Sequence, residues 1–316
     1  VDGLVVVDKP AGWTSHDVVA RLRKVYGIRR VGHAGTLDPD ATGVLLVGLG
    51  RVTRLLRFLS EAGKVYRGEV AFGVATDTLD AAGAVTERRP MPLTRAEIEA
   101  AAKGFVGEIE QVPPMVSAVK VGGRRLHELA RQGEEVERAP RMVRVDRLEV
   151  EAVEDGDFPR ARLLVECGSG TYIRTLAADL GRALGGPAHL AWLRRLSVGS
   201  FGLDEAHSLD EVAADPARVL LPPVEAVRHL DRVDVAADVA RGVRHGAVFP
   251  VGTLTGDQTG SGPVAVVGPE GSLLALYDRG RAAARPIVVL RGSDPSEGQG
   301  SGRGGPEETG RSRDGA

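Results

Sequence analysis

The chain has 316 residues, 42% of them hydrophobic, and a formal net charge of −2. That is enough apolar material for one large core and a small one, and it gives no global electrostatic argument for nucleic acid. A single cysteine, Cys167, excludes an intramolecular disulfide and a cysteine-rich zinc site, and no apolar run approaches a membrane span. The first residues lack the basic and apolar regions of a secretory signal, so a cytoplasmic monomer is expected.

In chain order, Leu4 to Asp8 reads as a buried strand. Thr14-Ser15-His16-Asp17 looks like a helix cap, and Val18, Leu22 and Val25 recur at helical spacing until Gly27 stops the helix. Residues Gly32 to Gly43 read as a glycine-bracketed loop, followed by the apolar strand Val44 to Gly48. Val52, Leu55, Leu56 and Leu59 predict a second helix ending near Gly63. Lys64 to Ala75 alternates, with Tyr66, Gly68, Val70, Phe72 and Val74 on one face of a strand. Thr94 and Glu97 form a capping box for a helix that turns Ile98, Ala101 and Ala102 inward.

From Pro113 to Arg147 the texture becomes polar, with a helix-compatible stretch at 126–131 that looks like an insertion reaching out from the body. Arg160 to Cys167 is another alternating strand, and Gly168-Ser169-Gly170 turns it into a helix beginning at Thr171. A composition break at Pro222 to Arg232 ends a first domain, taken as 1–230. A short helix over Val239 to His245 and strands at Pro263–Val267, Ser272–Tyr277 and Pro286–Leu290 make a small β-rich domain, 231–290. Residues 291–316 hold no large apolar side chain and are expected to be disordered.

Nucleotide and metal signatures are missing. The only Gly-Lys, at Gly63-Lys64, is followed by Val65, and Gly48-Leu49-Gly50 lacks the third glycine of a dinucleotide fingerprint. His127-Glu128 has no second histidine at zincin spacing, so no metal is expected. Local charge is more informative. Arg21, Arg23, Lys24, Arg29 and Arg30 crowd the approach to the Gly32–Gly43 loop, a second basic cluster runs from Lys120 to Arg147, and Arg194-Arg195 make a third. Three patches flanking one loop suit phosphate binding.

That loop reads Gly32-His33-Ala34-Gly35-Thr36-Leu37-Asp38-Pro39-Asp40-Ala41-Thr42-Gly43. Pro39 biases Asp38 away from helical angles, so one carboxylate is held on a stiff turn at the edge of a core strand. The string closely resembles the G-H-x-G-x-L-D-P-x-A-T-G motif of the TruB-type tRNA pseudouridine synthases. Further motifs follow in order over Leu4 to Arg195. They are the opening strand and loop from Leu4 to Ser15 with Asp8-Lys9-Pro10-Ala11-Gly12, then Lys64-Val65-Tyr66, Thr76-Asp77-Thr78-Leu79-Asp80, the run Pro113 to Lys120, Gly170-Thr171-Tyr172-Ile173-Arg174, and Ala188-His189 through Leu193-Arg194-Arg195. His127 departs from the tyrosine of relatives.

The resemblance implies an α+β fold, with a mixed, mainly antiparallel sheet flanked by helices. It adds an RNA-gripping thumb at about 113–147 and a PUA-like C-terminal RNA-binding domain. It implies isomerisation of U55 in the T loop of tRNA, a change of no oxidation state that needs no cofactor. Asp38 becomes the nucleophile, acting on C1′ or on C6 of the ring, and Arg174 the cation that holds it and lowers its pKa. Tyr66 becomes the stacking platform and the acceptor of the C5 proton, with Tyr172 and Leu193 completing the pocket. His33 is expected to wedge into the RNA stack, and Asp80 to anchor an RNA-facing loop or to cap a turn. Lys9, Arg194 and Arg195 are expected on the RNA. The rivals are a tRNA-folding chaperone, alone or alongside catalysis, and a guide-RNA-dependent synthase. The long 113–147 segment favours the stand-alone enzyme acting on the tRNA T-arm without guide RNA or membrane.

Overall fold

The computed structural model describes residues 1–115, 117, 120–121, 124–125, 136–254, 262–280 and 282–290. The expected helix at 126–131, His127 and the tail 291–316 lie outside the described residues. Packing divides the chain into two units after Arg232. No helix among the described residues is long and apolar enough to cross a membrane.

In the first unit the strands are β1 (Gly3–Lys9), β2 (Val31–Ala34), β3 (Thr42–Leu49), β4 (Lys64–Phe72), the hairpin β5 (Val74–Thr76) and β6 (Val85–Arg88), and β7 (Gly107–Gln111). The two-residue strands β8 (Lys120–Val121) and β9 (Arg124–Arg125) pair with each other. Then come β10 (Arg141–Glu154), β11 (Arg160–Cys167), β12 (Ala188–Val198) and β13 (Phe201–Gly202). The main sheet runs β1-β3-β12-β4-β11-β10-β7, with β2 added to β3 and β13 to β12. Only β3 and β12 pair in parallel; the other neighbours are antiparallel. This is the mixed, mainly antiparallel sheet expected from the sequence.

Local chemistry sets the elements. The helix Ser15–Tyr26 opens with a complete capping box between Thr14 and Asp17 and stops at Gly27, whose φ of 64° lies in the left-handed region. Val18, Val19 and Leu22 fall on its inner face and pack against Val5 and Val7 of β1 and Leu45 and Val47 of β3 in one core. Burial of each such side chain contributes about 1.5–3 kcal/mol. The helix Arg95–Lys103 carries the expected Thr94–Glu97 capping box.

Several boundaries differ from the sequence expectation. Gly32 to Ala34 is not loop: it forms β2, paired with β3. The second helix is a 3-10 turn, Gly50–Arg54, followed by a single helical turn, Leu56–Ser60. The strand expected to reach Ala75 breaks at Gly73, whose φ is 85°, and restarts as β5. Arg141 to Arg147, read as part of the polar excursion, opens the 14-residue strand β10. The segment Ala188 to Arg195, recognised only as a motif, is most of β12.

The key feature of the topology is a fork. One long edge of β3 is shared: β12 pairs at Thr42 and Gly43, and β2 pairs from Leu46 to Leu49. The loop that carries Asp38 leaves the sheet between these two partners. Gly43 (φ 101°) lies so close to β12 that a Cβ there would sit 2.1 Å from the Arg195 carbonyl oxygen. Gly43→Ala is therefore expected to destabilise the protein by roughly 3 kcal/mol or more, because clash and strained φ add. Urea unfolding measures it.

The second unit holds a five-stranded sheet in the order β14-β16-β17-β18-β15, with one helix, Ala237–Arg244. Its strands are β14 (Asp231–Asp234), β15 (Phe249–Pro250), β16 (Pro263–Val267), β17 (Leu273–Arg279) and β18 (Ala283–Val289). Val243, Val264, Val266, Ala275 and Tyr277 form its core. This is the β-rich C-terminal region expected from the sequence.

Candidate active site

Asp38 stands at the fork on a loop with little regular backbone pairing of its own. Its carbonyl accepts from the Ala41 N–H at 3.2 Å, and the Pro39 carbonyl accepts from the Gly12 N–H at 3.0 Å. Arg174, near the start of the helix Ile173–Ala183, reaches it from the far side of the sheet sequence. Its Nη2 donates to Asp38 Oδ1 at 3.1 Å, and its Nε lies 3.0 Å from Oδ2. This two-point pairing fixes the plane of the carboxylate as well as its position.

A second carboxylate shares the cation: Asp80 Oδ2 lies 3.5 Å from Arg174 Nη1. Arg174 Nη1 also donates to the Thr78 carbonyl at 3.2 Å. The turn supplying both partners is strained, with Leu79 at φ 64°, the one non-glycine residue with positive φ among the described residues. Thr76 Oγ1 donates to the Asp80 carbonyl at 2.7 Å, and Thr78 Oγ1 donates to Asp80 Oδ1 at 2.6 Å. Asp80 is thus drawn into an Asp–Arg–Asp cluster.

Burial is the largest influence on Asp38 and pushes its pKa above the usual carboxylate value. Arg174 pulls it down, Asp80 pushes it up and Lys9 pulls it down. Arg174 acts in the expected direction, but desolvation outweighs it, so the expected net lowering is corrected to a rise. The Asp38 side chain is still 39% exposed, opening onto a cavity of about 270 Å³.

Tyr66, Tyr172, Leu193, Arg174 and Lys64 line that cavity. Tyr66 projects from β4 and is 8% exposed; burial raises its pKa, and Arg195 donates to its hydroxyl. The phenol is therefore neutral at ordinary pH. Leu193 lies on β12 opposite Gly68 of β4, where a Cβ would come within 3.2 Å of the leucine side chain. A second cavity of about 250 Å³ lies on the other side of the Asp38–Arg174 pair, lined by Pro39, Ala81, Ala82 and Trp192 among others. The structure therefore brings Asp38, Arg174, Asp80, Tyr66, Tyr172 and Leu193 together.

Of the four remaining candidates Arg195 lines the same cavity, whereas His33, Arg194 and Lys9 are placed differently. His33 sits on β2, edge to face with His16 at 5.5 Å between ring centroids; burial pulls its pKa to about 4, so the ring is neutral. Arg194 is part-exposed and donates to Asp8 Oδ2 at 2.7 Å and Thr42 Oγ1 at 3.2 Å.

Lys9 and Arg195, expected on the RNA, are both buried, which corrects that expectation. Lys9 is fully buried and donates to the carbonyls of Pro10 (2.8 Å), Trp13 (2.6 Å) and Pro39 (2.8 Å). An ammonium has three donors, and these three carbonyls use them all. Arg195 is 1% exposed, and donates to Val44 (2.7 Å) and Gly35 (3.1 Å), closing the fork beside the loop. Lys9→Met is expected to cost roughly 3 kcal/mol in unfolding experiments through its orphaned carbonyls. The salt slope of RNA binding should stay unchanged, whereas losing a phosphate contact would lower it by about one.

Sequence reading missed four polar residues at the site. Thr78 lay inside a quoted motif, but its carbonyl carried no signal. Lys64 donates to the Ser60 (2.6 Å) and Ala62 (2.7 Å) carbonyls at the cavity wall. Ser15 was read as part of a cap and of the opening motif but given no role at the site, and Gln111 drew no notice.

Comparison with known proteins agrees with this geometry. The family profile for the TruB family pseudouridylate synthase N-terminal domain matches residues 23–173, and that for the tRNA pseudouridylate synthase B C-terminal domain matches residues 174–227. The chain is 47% identical over 292 residues to tRNA pseudouridine synthase B of Mycobacterium sp. (strain KMS), covering 92% of this chain and 96% of that protein. It is 47% identical over 300 residues to the protein of the same name from Thermobifida fusca (strain YX), covering 92% and 99%. Among solved structures, one of a Cbf5-Nop10-Gar1 complex matches with TM-score 0.70 and 28% identity, over 92% of this chain and 85% of that one. An H/ACA RNP bound to a substrate RNA containing 2′-deoxyuridine matches with TM-score 0.69 and 26% identity, over 93% and 85%. On these profile matches and identities the chain belongs to the TruB family of pseudouridylate synthases.

Proposed function

We propose that this enzyme isomerises uridine 55 in the T loop of tRNA, with Asp38 as nucleophile. The observation that carries the reading is the single carboxylate held at two points by Arg174, at the mouth of a cavity sized for one base. The name of the 47%-identical relatives supports tRNA as the substrate. Identity to them exceeds the 26–28% to the ribonucleoprotein subunits, which supports action without a guide RNA. We read it accordingly as a cytoplasmic monomer that grips the T-arm itself.

The reaction breaks the N1–C1′ bond, forms C1′–C5, and moves one proton from C5 to solvent while N1 gains one. The target uridine must leave its stack, at a cost of a few kcal/mol, and stacking against Tyr66 recovers roughly 1–3 kcal/mol. Attack at C1′ and attack at C6 both start from ionised Asp38. Because burial keeps the Tyr66 phenol protonated, its hydroxyl is the candidate to relay the C5 proton, releasing its own O–H proton to solvent as it takes the one from C5. Tyr172 and Leu193 exclude water from the ring, and part-exposed Arg194 lies in reach of a phosphate. His33, uncharged at neutral pH, suits an apolar wedge between bases better than a phosphate ligand.

The test is direct: incubate purified protein with an unmodified tRNA transcript and map pseudouridine. Modification confined to position 55 is expected; modification elsewhere, or none, overturns the reading.

A further inference from the structure

Two buried polar side chains grip the backbone beside the catalytic pair in the same way. Ser15 is 1% exposed; its Oγ accepts the Leu37 N–H at 3.0 Å and donates to the Leu37 carbonyl at 3.2 Å. Gln111 is 2% exposed; its Oε1 accepts the Tyr172 N–H at 2.9 Å, and its Nε2 donates to the Tyr172 carbonyl at 3.3 Å. Each side chain therefore supplies one donor and one acceptor to a single residue, as a neighbouring strand would. Leu37 immediately precedes Asp38, and Tyr172 is two residues before Arg174.

The placement of these grips is functional in character. Leu37 and Tyr172 both line the 270 Å³ cavity. Tyr172 is the N-cap of the Ile173–Ala183 helix, and its main-chain N–H donates to Gln111. Gln111 ends β7, which is paired along its length with β10. Thr175, one turn into the helix, donates to the Val112 carbonyl at 3.4 Å and ties the same two segments. The orientation of Arg174 is thereby referred to the edge of the sheet, and that of Asp38 to the Ser15–Tyr26 helix. A two-point carboxylate–guanidinium contact tolerates little relative rotation, and misplacement by about 1 Å can cost a hundredfold in rate.

We propose that Ser15 and Gln111 are positioning residues for the Asp38–Arg174 pair, setting the geometry in which the carboxylate meets the uridine. The inference rests on the proposed catalytic role of that pair. Neither side chain touches the reacting atoms; each acts through the peptide unit it holds.

The most discriminating variant is Gln111→Glu. A protonated carboxylic acid offers one donor and one acceptor, as the amide does, whereas the carboxylate offers only acceptors and opposes the Tyr172 carbonyl. Single-turnover rates with saturating tRNA transcript are measured for variant and wild type from acid to mildly alkaline pH, below both melting temperatures. The ratio of variant to wild-type rate is expected to stand near one at acid pH and to fall about tenfold or more as the glutamate ionises. Gln111→Met and Ser15→Ala should show a similar loss at every pH, with tRNA affinity changed less than about twofold. A ratio independent of pH in Gln111→Glu, or rates within twofold of wild type in the other two, overturns the proposal. Amide hydrogen exchange at Tyr172, faster in Gln111→Met than in wild type, reads the grip without turnover. Unchanged exchange also overturns it. Failure of the wild-type protein to form pseudouridine would instead count against the proposed function.

Discussion

Asp38→Asn is expected to abolish pseudouridine formation, by at least about a thousandfold in single-turnover rate, while tRNA affinity stays within about threefold. The substitution keeps the side-chain size but leaves a single acceptor for Arg174, and it removes the proposed nucleophilic oxygen and the charge that steadies the guanidinium. Affinity survives because it comes from phosphate contacts spread over the surface and not from this one carboxylate. In the wild type, burial raises the Asp38 pKa, so the rate should fall on acidification with a midpoint above the ordinary 3.8. The sign follows from the chemistry: the active form is the anion, and burial favours the neutral acid. A variant that still converts uridine at position 55 would remove Asp38 from its role. A variant that keeps binding and refolding tRNA without turnover would reveal the chaperone activity.

Arg174→Met is expected to be nearly as damaging, for a different reason. The methionine fills space but leaves Asp38 and Asp80 facing one another without the cation that lies 3.0 Å from one and 3.5 Å from the other. Like charges disfavour ionisation, so the acid limb of the pH–rate profile should move to higher pH. The rate at neutral pH should fall about a hundredfold or more, since both charge and orientation are lost. Arg174→Lys should recover little, because a point ammonium cannot reproduce the planar two-point contact or reach the Thr78 carbonyl at the same time. A pH–rate curve for Arg174→Met that superimposes on the wild-type limb would show that the guanidinium does not set the protonation of Asp38.

Much of this was legible before any coordinates. The capping boxes at Thr14 and Thr94 announced their helices because they are local hydrogen-bond patterns spaced three residues apart. The alternation from Lys64 to Phe72 announced β4 because strand side chains repeat every two residues. Asp38, Tyr66 and Arg174 stood out because each sits in a motif with its own internal spacing. The losses came where a segment's role depends on distant chain. Gly32 to Ala34 read as loop because three residues are too few to show a periodicity, and only β3 opposite them makes them a strand. β12 hid in a motif because its pairing on both sides is set by β3 and β4, well over a hundred residues earlier.

The sequence by itself determined the family, the mixed and mainly antiparallel architecture, the β-rich C-terminal region and the identity of the central carboxylate with its arginine. The motifs that carry the family resemblance encode the family, the sheet and the carboxylate with its arginine, and strand-sized apolar runs encode the C-terminal region. Only the tertiary structure decided what each charge does. Lys9 and Arg195 were expected on the RNA, yet both are buried, Lys9 on three backbone carbonyls and Arg195 on two carbonyls and the Tyr66 hydroxyl, where desolvation would be prohibitive without those partners. Asp80 became the second anion on Arg174, and the Asp38 pKa moved up and not down. Ser15 and Gln111 gained a place beside the Asp38–Arg174 pair. Burial and partner are properties of the folded packing, in which residues 15 and 37, or 111 and 172, become neighbours, and spacing along a chain does not record them.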